Sequence, residues 1–116
     1  MAESIIAILR PFVEESMTHP ENMLAYEREA LFGSVEHREE ATSSVSRVEQ
    51  AILQVMLLHR AKPRDPSADL EDIAHTIYAV LYLDIVKVIT GRSAKADLPA
   101  RVRRSVDFLT GALLKA

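Results

Sequence analysis

Residues 68–91, ADLEDIAHTIYAVLYLDIVKVITG, commit this chain to a helical architecture. Asp69 is placed to act as N-cap, where a carboxylate accepts from backbone N–H groups of the first turn. Glu71 and Asp72 then put negative charge at the positive end of the helix dipole. Gly91 stands at the position just past the helix end that favours glycine. Advancing by about 100° per residue, Ala74, Ile77, Leu81, Ile85 and Val88 fall on one stripe. His75, Tyr78, Tyr82, Val86 and Ile89 fall on a second. The polar residues Asp72, Thr76, Lys87 and Thr90 crowd into a narrow sector that also contains Leu83. A helix apolar over most of its circumference is buried on more than one side. In a chain of 116 residues, one side can meet the core and another a partner.

The remaining segments carry the same period. Residues 3–18 place Ile5, Ile6, Leu9, Val13 and Met17 at helical spacing, and Pro11 predicts a kink or two abutting helices. Residues 21–32 form a short amphipathic helix with Met23, Leu24, Leu31 and Phe32 apolar and Glu27 and Glu29 outward. Gly33 reads as its stop and Ser34 as the next cap. Residues 35–61 predict one long helix with a face of Ala41, Val45, Val48, Ile52, Val55 and His59. Its start is polar and should project, while its end, AILQVMLLHR, should lie deep. KPRDP, residues 62–66, is the clearest loop. Residues 97–115 form the last helix, with Asp97 as N-cap and Pro99 in the first turn. No stretch alternates as a strand does. The fold class predicted is all-α: a single domain over 1–116, about five helices in an antiparallel bundle.

Composition and motif content exclude several roles. Hydrophobic residues make up 48% of the chain, enough for a sizeable core, and aromatics only 5%, so that core is mostly aliphatic. With no cysteine, disulfide and thiolate chemistry are ruled out and a cytoplasmic setting fits. Asp84 and Lys87 interrupt the best apolar run, so no membrane span is expected. There is no signal peptide pattern, phosphate-binding glycine loop or nucleophile elbow. Asp72 and His75 form an Asp-x-x-His pair, but it stands alone, whereas a di-iron bundle repeats such a pair and adds two glutamates. No metal, no cofactor and no enzymatic activity are therefore expected. The formal net charge of −3 argues against a nucleic-acid surface. Arg92, Lys95, Arg101, Arg103 and Arg104 make one end basic, where any binding should be weak and salt-dependent.

Two sets of residues are candidates for function. Val48, Ile52 and Val55 on the long helix and His75, Tyr78 and Tyr82 on the central one predict the walls of an apolar cavity, with Tyr26 as a third side. The competing reading is a filled core in which these residues pack on one another. Ile77, Leu81, Ile85 and Val88, with Ser105, Phe108 and Ala112 of the last helix, predict a homodimer interface. Ser105 and Ala112 are small enough for another helix to approach closely.

The order of these elements is similar to a known family. KPRDPSADLEDIA leading into TIYAVLYLDIVKVITG resembles its apolar penultimate helix, which follows a proline-containing loop and ends near glycine. ARVRRSVDFLTGALLK resembles its closing helix, and LRPFVEESMTHPENMLAYEREALF the helix pair that opens its ligand domain. The chain thus resembles the C-terminal ligand-binding and dimerisation domain of tetracycline-repressor (TetR) family transcriptional regulators. The resemblance implies that the last two helices of each subunit form a dimeric four-helix bundle. It implies a small apolar effector that shifts the separation of two DNA-binding heads, a coupling between two sites. The family's N-terminal helix-turn-helix has no counterpart ahead of the first core helix here, so direct DNA binding by this chain is not expected. The alternative is a structural or protein-interaction bundle with no ligand.

Overall fold

The computed structural model describes residues 1–115. Five α-helices pack against one another: α1 (Ala2–Thr18), α2 (Pro20–Phe32), α3 (Val35–Leu58), α4 (Leu70–Ile89) and α5 (Leu98–Leu113). The chain is an all-α bundle, and its extents of 39 × 33 × 19 Å make it about two helix layers thick.

Helix ends follow local chemistry where the side chains can reach. Ser34 Oγ accepts from the His37 N–H at 3.3 Å, and the Asp69 carboxylate from the Asp72 N–H at 2.9 Å. Gly91 adopts φ 78°, and the Arg92 N–H returns to the Lys87 carbonyl at 2.7 Å, closing a Schellman motif. α3 ends the same way without a glycine: Arg60 takes φ 55° and the Ala61 N–H bonds the Met56 carbonyl at 3.0 Å. This is why α3 stops at Leu58 and not at residue 61.

Three expectations are corrected, and a fourth holds for a steric reason. α1 runs unbroken through Pro11; Pro11 and Ala7 are both exposed, so the carbonyl left unpaired by the missing N–H faces water. Gly33 does stop α2, with a negative φ, and glycine is required there by space, since a Cβ would lie 2.4 Å from the Glu29 carbonyl oxygen. Asp97 makes no side-chain cap, because a 3₁₀ turn, Lys95–Asp97, leads directly into α5. Finally, two strands of two residues each pair: β1 (Lys62–Pro63) lies antiparallel to β2 (Leu114–Lys115).

That pairing brings the start of α4 to the end of α5, helped by Arg64, whose Nε donates to the Gly111 carbonyl at 2.9 Å. Midway, the Ser105 hydroxyl donates to Asp84 Oδ2 at 2.7 Å. These two ties make α4 and α5 an antiparallel pair. The core gathers Ile5, Leu9 and Val13 of α1, Ile52 and Met56 of α3, and the inner stripes of α4 and α5. α2 contributes no fully buried residue.

Candidate functional site

Because Asp69 and Gly91 frame α4, the azimuth of every residue between them is set. Ile77, Leu81, Ile85 and Val88 point into the protomer, with Ile77 and Leu81 fully buried. They pack with α5, α3 and α1. Ser105 is also buried, through its bond to Asp84. These five residues of the expected dimer interface therefore serve the subunit's own core and have little surface to offer a partner. Phe108, 71% exposed, and Ala112 remain outside. Leu83 joins them at 51% exposure. Its position inside the polar sector of α4 was the signal that an apolar group faces outward there. Asp84 meets Ser105 and Arg101 across the α4–α5 seam.

The second stripe of α4 builds a different surface. Tyr78 and Tyr82, one turn apart, have ring centroids 6.1 Å apart and planes tilted by 33°. The Tyr82 hydroxyl donates to the Glu27 carboxylate of α2, and His75 Nδ1 lies 2.9 Å from Glu49 Oε1 of α3. Burial pushes the Tyr78 phenol up, and the carboxylates of Glu27 and Glu49 add to the effect. Burial, then the bond to Glu27, pushes Tyr82 up more strongly. Both phenols hold their protons through neutral pH and act as donors, not as bases. Three helices thus converge on one aromatic and acidic patch.

The patch unites the expected residues Tyr78, Tyr82 and His75. Tyr26 lies close enough to Tyr78 to influence its proton, although its side chain is nearly half exposed. The aliphatic members sit deeper: Ile52 is fully buried, and Val48 and Val55 pack partly buried against the core. Two members were missed. Glu27 is turned onto Tyr82 instead of outward, and Glu49 reaches His75 from the next helix. An acidic residue at a helix edge has no one-dimensional signal for this; only the tyrosines one turn apart hinted at a polar counterpart. His75 pairs with Glu49 and not with Asp72, and among the described residues no three His, Asp or Glu side chains are placed to hold a metal ion.

An open recess of about 540 Å³ lies elsewhere, where the end of α4, the connecting loop and the start of α5 meet. Among the described residues no helix is long and apolar enough to cross a membrane. No protein-family description, curated protein or solved structure matches the chain.

Proposed function

We propose that this chain is a ligand-sensing and dimerisation domain like that of TetR-family regulators, working in the cytoplasm as a homodimer that takes a small, largely apolar effector. One observation carries the reading: α4 has two flanks the core leaves uncommitted, and they differ in chemistry. One presents Tyr78, Tyr82 and His75 to α2 and α3, with phenol, imidazole and carboxylate groups that can orient a ligand. The other exposes Leu83 on α4, with Phe108 and Ala112 exposed on α5, the helix tied to it through Asp84 and Ser105. A ligand that moves α4 against α2 and α3 would shift the other flank with it, since helices pack as rigid bodies.

The dimer is tested by light scattering on a size-exclusion column, and effector retention by native mass spectrometry of protein taken from cells. The expected species is a dimer that carries a small molecule. Leu83→Glu and Phe108→Glu, both at exposed positions, should each yield a folded monomer. A wild-type monomer at tens of micromolar overturns the dimer.

The filled-core reading draws on Ile52, which is fully buried. Ile52→Trp decides between them. In a filled core it overpacks and lowers stability by about 1–3 kcal/mol. Where space for an effector exists, it preserves the fold and abolishes ligand-induced thermal stabilisation.

A further inference from the structure

We infer that the recess between the end of α4 and the start of α5 binds a small phosphate monoester. It is separate from the tyrosine patch and does not depend on the function proposed above. Its lining includes three cationic residues, Lys87, Arg92 and Arg101, together with Ser93. Two carboxylates oppose them. Asp84 is buried and already held, by Ser105 at 2.7 Å and by Arg101 Nε at 3.4 Å. Its charge is thus matched inside the protein, and only Asp97 at the recess offsets the remaining cations.

Lys87 and Arg92 have no ion-pair partner among the described residues. Arg101 keeps further guanidinium donors beyond the one directed at Asp84. In sequence, Arg92, Lys95, Arg101, Arg103 and Arg104 do no more than make one end basic. The fold divides them. Arg103 is spent on Glu3 at 2.6 Å, while Arg92 and Arg101 join Lys87 on a concave surface. Forked guanidinium donors, an ammonium and a hydroxyl suit the several acceptor oxygens of a phosphate group. The charge calls for a dianion, which a phosphate monoester supplies near neutral pH. The volume of about 540 Å³ leaves room for a small ester group beside the phosphate.

The test is titration of the full chain with inorganic phosphate and with glycerol phosphate at constant ionic strength, followed by amide chemical shifts. Succinate and a short single-stranded oligonucleotide serve as comparison ligands. Glycerol phosphate should perturb amides between residues 87 and 101 and leave those near Tyr78 and Tyr82 unchanged. Arg92→Gln and Lys87→Gln, both at exposed positions, should each weaken binding roughly tenfold with an unchanged spectrum elsewhere. Perturbations that persist in the double variant, or none at tens of millimolar, would overturn the site. Equal affinity for succinate, or tighter binding of the oligonucleotide, would overturn the ligand class.

Discussion

α2 and α5 are similar in length, 13 and 16 residues, yet α5 buries five side chains and α2 none. α5 repeats Leu98, Val102, Val106 and Leu109 along one stripe and lies against both α4 and α1. α2 has Met23 and Leu24 half-buried, while Leu31 and Phe32, the latter 84% exposed, sit at its end in solvent. Its firmest side-chain tie to the rest of the molecule is polar, Glu27 to Tyr82. Regions with few buried apolar contacts open at the lowest free energy. The difference therefore teaches where adaptability resides: the aromatic patch lies on the seam between a well-packed half and a lightly held helix.

The largest effect that would break this comparison comes from truncating matched leucines. Leu81→Ala should destabilise by about 2–5 kcal/mol, whereas Leu31→Ala should stay within about 0.5 kcal/mol. Urea denaturation of the two variants is the measurement, and equal losses would remove the distinction. Next, Ser105→Ala leaves the buried Asp84 with Arg101 as its only side-chain partner among the described residues. A loss of about 1–3 kcal/mol is expected in the same assay. Ser44→Ala, in α3, where the hydroxyl accepts only from the exposed Arg47 among the described residues, serves as its control.

Tyr82→Phe sharpens the comparison at the seam. Removing the hydroxyl that holds Glu27 should lower global stability by about 1 kcal/mol. It should also speed hydrogen exchange in α2 far more than in α5. The same residue sets a pH dependence. Tyr78 and Tyr82 are raised above the ordinary phenol value of 10.0, so above that pH the unfolded chain releases protons the folded one keeps. Stability from these groups is complete below pH 10 and is lost as pH rises toward their folded values. The slope of denaturation midpoint against pH in that alkaline range should be shallower in Tyr82→Phe than in wild type.

The smallest effect is a gain. Arg60 holds a left-handed backbone that glycine adopts without strain, so Arg60→Gly should stabilise by up to about 1 kcal/mol. The reverse change at the matching position, Gly91→Arg, should destabilise by a similar amount even though nothing lies within 4 Å of the added Cβ. A thermal scan of both variants measures the pair.

Sequence alone determined the number of helices and most of their ends, because periodicity, N-caps and a C-terminal glycine act within a few residues. Asp69, Ser34 and Gly91 act where their residue types predict. On α4 the same logic ran out, since two adjacent apolar stripes carry no local mark of which one meets the core. Tertiary packing turned Ile77, Leu81, Ile85 and Val88 inward and left Leu83 outside. It also drew Glu27 onto Tyr82, 55 residues away, and Lys62 onto Lys115. It held Arg60 in a backbone conformation that residue does not favour. Each of these outcomes depends on partners distant along the chain, whose contacts repay a local conformation or an isolated charge only once the helices have assembled.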